Sequence, residues 1–432
     1  MDRAVSDHPG VQRQLDRLTW LAPGPDTLGL DRIAALLARL GNPERRLPPV
    51  FHVAGTNGKG STCAFLRAAV EAAGLKAHVY TSPHLVRFNE RIRIAGALIG
   101  DEMLADLLAE ALDCADGIDP SFFEATTAAA FLAFSRAEAD ACIVEVGLGG
   151  RLDATNVLPA PAVCGIAQLG IDHQAFLGDR IEQIAAEKAG IAKKGVPLVT
   201  QLYPEPLAER IREAAEAAGA EWLPRGERWD FETRDGAIHY RDSRGALELP
   251  RPKLAGSHQA MNAALAVAMI RHQDSVPVGD AALAAAMERA EWPARLQLLG
   301  PGPLQNLLPE GSNLWVDGGH NPAAAAALAE HFRARERPLR LVLGLLANRD
   351  PSGVLAPFAG IATRLHGVPV PGHAHHATEE LAASARSLGI AAETAEDPDD
   401  AMRAIREPGD VLIFGSLYLA GEVLKLNGQP PA

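Results

Sequence analysis

The sequence predicts an α/β protein of two domains, each built on a mostly parallel sheet. From residue 50 onward, short apolar runs alternate with helical patterns, as they do in parallel sheets covered on both faces. A passage rich in Pro and Gly at 292–303 interrupts this alternation, and a second alternating series follows it. We therefore expect domains at 1–296 and 297–432 with a cleft between them, where ligands usually bind.

The first domain is expected to begin with a mostly helical segment and to contain five buried strands. Strands are predicted at 50–53, 77–80, 142–146, 162–167 and 196–200, with helices at 61–73, 124–137 and 181–192. The region 229–249 differs, because its alternating residues surround Asp-Gly and Arg-Gly turns, which predicts a surface β-hairpin near 228–250. The second series has strands at 314–317, 339–343, 363–368 and 411–414.

Composition excludes several classes of partner. The formal net charge is −13, whereas binding to nucleic acid is driven by basic patches, so neither nucleic acid nor an anionic membrane surface is expected. Four scattered cysteines show no CxxC spacing, which predicts neither a zinc site nor a disulfide framework. Because the start lacks an apolar signal core and no run is long enough to span a bilayer, we expect a cytoplasmic protein.

The strongest motif is FHVAGTNGKGST at 51–62, in which an apolar strand enters a Gly-rich turn and then a helix. Glycines let backbone N–H groups converge on phosphate oxygens, the helix N-terminus favours anions, and a lysine neutralises charge. The spacing is a variant of the usual GxxxxGK[ST] pattern. The alternative is a flexible surface loop, but the flanking strand and helix favour a nucleotide site formed by Thr56, Asn57, Gly58, Lys59, Gly60 and Ser61.

Two further segments predict a magnesium site at the same edge of the sheet. Glu145 lies near the end of the strand in CIVEVGLGG, and a carboxylate beside a phosphate loop suits Mg²⁺; the alternative is a structural ion pair. Asp172 and His173 follow the next strand, where such a pair is either a ligand or a hydrogen-bonded structural feature.

Lys188 shares the apolar face of its helix with Ile181, Ile184 and Ala185. Such a lysine usually extends its ammonium group to water, and the spacing alone favours this interpretation. The alternative is that partial burial keeps the amine neutral and reactive. Carbon dioxide could then convert it to a carbamate that binds Mg²⁺.

The chain resembles the folylpolyglutamate synthase/dihydrofolate synthase family, relatives of the Mur ligases. The resembling segments run in order over most of the chain: AGTNGKGST, YTSPHLVRFNERI, FFEATTAAAF, EVGLGGRLDATN, GIDHQAFLG, EKAGI, WPARLQ, DGGHNP and FGSLYL. This resemblance implies a Mur-ligase-like central ATPase domain with a P-loop, followed by a smaller Rossmann-like C-terminal domain. It also implies a ligase that joins L-glutamate to a folate carboxylate through an acyl phosphate.

The resemblance further implies ATP as substrate and Mg²⁺ at two sites. Residues 57–61 would bind the phosphates, and Lys188 would be carbamylated. The implied metal ligands are Ser82, Glu145, His173 and Lys188, and the implied further nucleotide contacts are Asn262, Arg295, Asp317 and His320. Lys59 would offset charge on the transferred phosphoryl group, and His320 or His173 could assist removal of a proton.

For the pterin, the resemblance implies three groups of contacts: Thr27, Leu28, Gly29 and Leu30; Phe122, Phe123 and Glu124; and Leu152, Asp153 and Ala154. An aromatic ring such as that of Phe123 offers a face for a flat heterocycle, although one of the two phenylalanines is expected simply to pack in the core. A carboxylate such as that of Asp153 can accept hydrogen bonds from ring N–H groups.

Two segments depart from the family pattern. Asn348-Arg349-Asp350 stands where many relatives carry Asp-Lys-Asp, and PVPGHAHHAT at 369–378 replaces a stretch that usually bears an arginine. The sequence therefore does not identify the residues that bind glutamate. The alternatives are that these histidines replace the arginine or that the contact lies elsewhere.

Within the family, RLDATN together with an N-terminal T-L-G-L segment is similar to the bifunctional bacterial type, which acts on dihydropteroate and tetrahydrofolate. The alternatives are a folylpolyglutamate synthase only, another Mur-type amino-acid ligase, or a P-loop NTPase switch. A Mur-type ligase that acts on a UDP-linked substrate would need a further domain for the UDP sugar, and the segment before residue 50 is too short to form one. A P-loop NTPase switch would leave the DGGHNP motif unexplained. A monomer is the default expectation.

Overall fold

The computed structural model describes residues 4–21 and 28–431, and within them the chain forms two compact units. The central unit contains Ala4–Lys253 and Gln259–Glu291, and the C-terminal unit contains Leu254–His258 and the chain from Trp292 onward. The second unit thus begins shortly before the predicted boundary. The short segment Leu254–His258 belongs to it as well, which no pattern in the sequence indicates.

The central unit is built on an eight-stranded sheet. Its strands are β1 Val50–Ala54, β2 Ala77–Tyr80, β3 Ile92–Ile94, β4 Ala97–Leu98, β5 Ala141–Glu145, β6 Val163–Ile166, β7 Pro197–Thr200 and β8 Glu221–Pro224. Their order in the sheet is β4-β3-β2-β5-β1-β6-β7-β8. Only β3 and β4 pair antiparallel, so the predicted mostly parallel sheet is confirmed. All five predicted strands are present.

Ten helices accompany this sheet in the described residues. They are α1 Pro9–Leu21, α2 Asp31–Arg39, α3 Lys59–Ala72, α4 Asp101–Asp113, α5 Phe122–Arg136, α6 Gln174–Leu177, α7 Ile181–Ala189, α8 Glu205–Ala218, α9 Ser257–Arg271 and α10 Asp280–Arg289. Helix α5 starts with a capping box, in which Ser121 and Glu124 each bind the other's backbone N–H. Helix α9 begins in the C-terminal unit and continues in the central unit.

The centre of the sheet brings three strand ends together. All five residues of β1 are buried, as expected for a strand covered on both faces. Val53 of β1 lies opposite Glu145 of β5, and Ala54 lies opposite Ile166 of β6. Because these strands are parallel, the loops that follow them leave the sheet at one edge.

The predicted hairpin is a three-stranded antiparallel sheet instead. Its strands are β9 Trp229–Arg234, β10 Ala237–Asp242 and β11 Gly245–Leu249, in the order β11-β10-β9. Both tight turns were recognised in the sequence, but each joins a separate strand pair. Three strands bury one face better than two, and Trp229 and Tyr240 stack with ring centroids 6.0 Å apart.

The C-terminal unit has a six-stranded sheet with the order β12-β13-β17-β14-β15-β16. Its strands are β12 Gln297–Leu298, β13 Asn313–Val316, β14 Leu339–Leu343, β15 Ala362–Gly367, β16 Ala391–Thr394 and β17 Asp410–Phe414. Its helices are α11 Pro322–Arg333, α12 Pro351–Leu355, α13 Thr378–Ser387, α14 Pro398–Ala404 and α15 Leu417–Leu426. Only the short β12 pairs antiparallel, so this unit is also α/β, as predicted.

None of the helices in the described part of the chain is both long enough and apolar enough to cross a lipid bilayer.

Candidate active site

The Gly-rich loop connects β1 to α3. Gly58 has φ 84° immediately before the first helical residue, Lys59, a conformation that glycine adopts without strain. A Cβ atom at Gly58 would lie 2.3 Å from Oδ1 of Asn262. The loop therefore needs glycine both for its backbone angle and for the close approach of α9.

The loop is tied to the segment after β6. The hydroxyl of Thr56 donates to the carbonyl of Gly170 at 2.9 Å, and the backbone N–H of Thr56 donates to the carbonyl of Gln168 at 2.8 Å. The side chain and the backbone of Thr56 thus attach the loop to the segment at 168–170. The first N–H groups of α3 have no partner within the helix, and they are the groups that can receive an anion.

Helix α9 supports the loop from the other side. The amide of Asn262 donates to Oε1 of Gln259 at 3.0 Å, and Nε2 of Gln259 donates to the hydroxyl of Ser61 at 3.3 Å. Gln259 is buried and was missed in the sequence. Its position one turn before Asn262, on the same helix face, was the available signal.

Two lysines share one acceptor beside the loop. Nζ of Lys59 lies 3.1 Å from the carbonyl oxygen of Gly55, and Nζ of Lys188 lies 2.9 Å from the same oxygen. Lys188 is 4% exposed, so the interpretation that its ammonium group reaches water is wrong. Burial, together with the charge of Lys59, lowers the pKa of Lys188 to about 7. The periodicity placed Lys188 on the apolar face of α7 but could not show how deeply the neighbouring loops cover it.

Glu145 is the last residue of β5 and pairs with Val53 of β1, two residues before Gly55. Its side chain is buried, and Oε2 accepts a hydrogen bond from the backbone N–H of Ser82 at 3.1 Å. The structure therefore brings together two of the residues expected to hold the metal. Both supply oxygen atoms, which are the ligands that Mg²⁺ prefers.

His173 lies on the loop after β6, the neighbour of β1. It has φ 52°, precedes the short helix α6, and its backbone N–H donates to Oδ1 of Asp172 at 2.8 Å. The side chain of His173 is 45% exposed, whereas that of Asp172 is 8% exposed. The two neighbouring residues thus differ: the buried carboxylate of Asp172 orders the backbone, whereas the imidazole of His173 is exposed to solvent.

Within residues 4–21 and 28–431, no group of three His, Cys, Asp or Glu side chains is arranged to hold a metal ion. Mg²⁺ is commonly held by one or two carboxylates together with waters and substrate phosphates, so Glu145 and the Ser82 hydroxyl are suitable protein donors. An unmodified lysine offers no oxygen ligand to a cation. The oxygen donors of Glu145 and Ser82 fit Mg²⁺.

On the opposite side of β5, Phe123 lies against a glycine turn. Its ring stacks on Tyr80 with centroids 5.9 Å apart, and a Cβ atom at Gly147 would lie 2.4 Å from its Cζ. Phe122 meets the ring of Phe88 edge-on at 5.9 Å. Both phenylalanines are half-buried and pack against the core, so the two rings are similar in exposure.

Asp153 organises the loop that follows Gly147. Its side chain is buried; Oδ2 accepts from the N–H of Leu148 at 2.8 Å, and Oδ1 accepts from the N–H and the hydroxyl of Thr155 at 3.0 and 2.5 Å. Burial raises the pKa of Asp153, and these hydrogen bonds oppose that rise. The carboxylate thus fixes the backbone around Leu152 and the buried Ala154.

Glu124 is also engaged within the protein. Its Oε2 accepts hydrogen bonds from the N–H of Ser121 at 2.6 Å and from Nε of Arg32 at 2.9 Å. Of the N-terminal residues expected near the pterin, Leu28, Gly29 and Leu30 are half-buried ahead of α2. Thr27 lies outside the described residues.

In the C-terminal unit, Asp317 and His320 follow β13. Oδ1 of the buried Asp317 accepts from the N–H of Gly319 at 2.5 Å, and Oδ2 accepts from the N–H of Leu296 at 2.6 Å. Nδ1 of His320 lies 3.0 Å from the carbonyl oxygen of Gly318. Arg295 is half-buried and precedes Leu296 directly.

The histidine-rich segment also lies in this unit. Nε2 of His376 is 2.8 Å from the carbonyl of Arg349, and Nδ1 is 2.9 Å from Oε2 of Glu380. Burial lowers the pKa of His376, but these two bonds outweigh it and raise the pKa overall. His376 therefore connects the Asn348-Arg349-Asp350 segment to α13, and His373 stacks on Tyr418.

Comparison with known families agrees with this architecture. Residues 53–270 match the Mur ligase middle domain, and residues 305–417 match the Mur ligase glutamate ligase domain. The fold and the phosphate loop thus define a Mur-type ligase.

Similar proteins show to which family of Mur-type ligases the chain belongs. The dihydrofolate synthase/folylpolyglutamate synthase of Bacillus subtilis is 36% identical, and the alignment covers 92% of this chain and 94% of that one. E. coli FolC in complex with DHPP and ADP superposes with a TM-score of 0.86 at 32% identity, covering 98% of each chain. A bifunctional folylpolyglutamate synthase/dihydrofolate synthase with Mn, AMPPNP and L-Glutamate bound superposes with a TM-score of 0.85 at 31% identity. The superposition covers 98% of this chain and 99% of that chain. The chain belongs to the dihydrofolate synthase/folylpolyglutamate synthase family.

Proposed function

We propose that this protein uses ATP to join L-glutamate to the carboxylate of 7,8-dihydropteroate and to that of tetrahydrofolate. The observation that carries the proposal is the pair of lysines, Lys59 and Lys188, on the carbonyl of Gly55 beside the buried Glu145. Family membership supplies the substrates: relatives in the same family are bound to ADP, DHPP and L-Glutamate.

The reaction needs an activated carboxylate, since a free carboxylate is a poor electrophile. The pteroate carboxylate attacks the γ-phosphate of ATP, an acyl phosphate forms, and ADP leaves. The glutamate amine then attacks the acyl carbon and phosphate leaves. Lys59 and the first N–H groups of α3 offset the charge on the phosphoryl oxygens, and such electrostatic terms dominate phosphoryl transfer.

Lys188 is proposed to act as a carbamate. Its pKa of about 7 leaves a large fraction of the amine neutral near neutral pH. The neutral nitrogen attacks carbon dioxide, an N–C bond forms, and one proton is released. The resulting anion sits where Lys59 supplies a compensating positive charge.

Mg²⁺, proposed at two sites, supplies charge neutralisation for the phosphates when bound. Glu145, Ser82, His173 and the modified Lys188 are the proposed ligands. The buried position of Glu145 next to the backbone of Ser82 supports the first two of these assignments.

Asn262, Arg295, Asp317 and His320 are proposed to serve the nucleotide, and either His320 or His173 to assist loss of the proton from the glutamate amine. On the pterin side, Phe123 is proposed to offer a ring face to the flat heterocycle. Asp153 and Glu124 are proposed to shape the pterin pocket. The formal net charge of −13 supports the absence of a nucleic-acid partner. A cytoplasmic location and a monomeric state are proposed as well.

The test measures phosphate release with ATP, Mg²⁺ and glutamate, comparing dihydropteroate, tetrahydrofolate and no acceptor, with products identified by mass. Addition of glutamate to both acceptors is expected. Addition to tetrahydrofolate alone would leave a folylpolyglutamate synthase. Phosphate release that ignores every acceptor would contradict the ligase assignment and favour an NTPase switch.

A further inference from the structure

A polar side chain lies on the strand that leads into the phosphate loop. His52 is the third residue of β1, is fully buried, and has Val144 of β5 and Cys164 of β6 as its neighbours in the sheet. Burial and, next, the charge of Lys193 lower the pKa of His52 to about 3, so the imidazole is neutral. A neutral imidazole donates from one nitrogen and accepts at the other, and when buried it needs a hydrogen bond to offset the loss of water.

Two hydrogen bonds in series connect His52 to Asp153. Nε2 of His52 lies 2.9 Å from the hydroxyl oxygen of Thr155, and that hydroxyl lies 2.5 Å from Oδ1 of Asp153. All three side chains are buried. The backbone N–H groups of Thr155 and Leu148 also donate to Asp153, which favours its carboxylate form, an acceptor only. The Thr155 hydroxyl therefore donates to Asp153 and accepts from His52, which places the imidazole proton on Nε2.

The second nitrogen of the imidazole is not engaged. Nδ1 of His52 is buried and has no hydrogen-bond partner within residues 4–21 and 28–431. The bond to Thr155 is thus the only one that this side chain makes in the described part of the chain. The imidazole is therefore bound to the Thr155–Asp153 pair rather than to the strands around it.

Asp153 lies in the loop that carries the residues implied at the pterin. It follows Leu152 and caps the short 3₁₀ helix Ala154–Val157. The same loop is also attached to α7, because the backbone N–H of Arg151 donates to the carbonyl of Glu187 at 2.8 Å. The loop is thus held by α7 at Arg151 and, through Asp153 and Thr155, by β1.

We infer that His52 is a positioning residue for the pterin substrate: through the Thr155 hydroxyl it holds the Asp153 carboxylate, and with it the loop at 147–154, in the conformation that receives the pterin. The inference rests on the proposed function, in which Asp153 shapes the pterin pocket. A loop that is already held in its binding conformation loses less freedom when the ligand binds, so less affinity is lost to ordering it. His52 itself touches no substrate.

The test measures steady-state kinetics of His52→Leu and His52→Gln with dihydropteroate and with tetrahydrofolate, since both acceptors carry a pterin. Leucine removes the donor to Thr155, and we expect the KM for both acceptors to rise about 10-fold, with kcat within about twofold of wild type. Glutamine offers an amide N–H to Thr155 and should keep both KM values within about threefold of wild type. The dissociation constant of a non-hydrolysable ATP analogue should be unchanged in both variants.

His78→Leu is the matched control. His78 is a buried histidine on β2 of the same sheet, and its Nε2 lies 3.1 Å from the carbonyl oxygen of Ala137. The control should keep the KM values of wild type, although it also loses a histidine hydrogen bond. Equal KM increases in His78→Leu and His52→Leu would overturn the inference. So would a loss of ATP-analogue affinity in His52→Leu as large as the loss for the acceptors, because either result means that the sheet as a whole is disturbed.

Thr155 provides a second test that leaves β1 unaltered and remains informative if His52→Leu does not fold. Thr155→Val removes the hydroxyl with little change in shape and should raise both acceptor KM values about 10-fold, whereas Thr155→Ser retains the hydroxyl and should resemble wild type. Unchanged KM values in His52→Leu or in Thr155→Val would contradict the positioning role. Failure of the proposed function looks different, because wild type itself would then add glutamate to neither acceptor.

Discussion

The phosphate loop of the central unit and the Arg295 turn of the C-terminal unit hold their cations in different ways. Lys59 and Lys188 are placed by secondary structure: one opens α3, the other lies on the buried face of α7, and both bind the carbonyl of Gly55. Arg295 lies between two left-handed residues, Ala294 and Leu296, whose N–H groups donate to Gln297 and Asp317.

The difference decides what a sequence can reveal. A strand, a glycine turn and a helix start follow one another along the chain, so the phosphate loop forms a continuous motif. The Arg295 turn depends on bonds from its backbone to residues three and twenty-one positions away, which leave no continuous pattern. We therefore expect the phosphate loop to lose function when a charged residue or a glycine is replaced. We expect the Arg295 turn to lose function when a residue that holds its backbone is replaced.

Replacing Lys59 should have the largest effect. Lys59→Ala removes a positive charge next to the phosphates, and we expect turnover to fall by about 10²–10³ in the ligase assay. Lys253→Ala is the control, because Lys253 is an exposed lysine of the same unit paired with Glu291. A loss in Lys253→Ala as large as in Lys59→Ala would show that general electrostatics, rather than the loop, is responsible.

Lys188→Met should remove activity while stabilising the fold. The pKa of Lys188 is about 7 in the folded chain and 10.5 as a free side chain, so the unfolded state binds more protons between these values. Wild-type stability should therefore rise with pH across that window, and the rise should be absent in the variant. At pH 7 we expect the variant to be more stable by on the order of a few kcal/mol.

The measurement is denaturant unfolding between pH 7 and 10 in buffer free of carbon dioxide and metal. A Lys188→Met variant that is less stable than wild type at pH 7 would show that the buried amine stabilises the fold, contrary to this account. Lys76→Met is the control. Lys76 is exposed and lies immediately before β2, so this variant shows the effect of losing a lysine that is not buried.

Gly58→Ala should weaken nucleotide binding about 10-fold, because the new Cβ atom would lie 2.3 Å from Oδ1 of Asn262. Gly74→Ala is a close control: Gly74 has φ 78°, similar to the 84° of Gly58, but no atom lies within 4 Å of its added Cβ. The control should lose about 1 kcal/mol of stability with the KM for ATP unchanged. Equal effects of the two variants on the KM would mean that backbone strain, not contact with α9, is what matters.

Asp153→Asn should act mainly on stability. An amide group would face N–H and O–H donors that now meet a carboxylate, and we expect a loss of about 1–3 kcal/mol by thermal unfolding, with a raised KM for dihydropteroate. Asp140→Asn is the control, since Asp140 also accepts a backbone N–H, that of Lys76, but at an exposed site. Undiminished stability in Asp153→Asn would contradict the organising role of this carboxylate.

Much of the fold followed from periodicity, and less of the site did. The strands at 77–80 and 339–343 have the predicted bounds, because buried parallel strands are continuous apolar runs. The depth of Lys188 and the bond from Gln259 to Ser61 could not be predicted, because each depends on segments distant in the chain. The third strand of the small sheet is local, and it was missed because the two turns were assigned to a single hairpin. The bond from Arg32 to Glu124 is distant in the same way, whereas Asp153 bonds to Leu148 and Thr155 within its own loop.

The most direct test of the central claim follows an oxygen atom. Dihydropteroate labelled with ¹⁸O in its carboxylate is incubated with ATP, Mg²⁺ and glutamate, and the released phosphate is examined by mass spectrometry. Activation of the carboxylate as an acyl phosphate predicts transfer of one labelled oxygen to phosphate for each dihydrofolate formed. Dihydrofolate formed with unlabelled phosphate would contradict the mechanism proposed for this site.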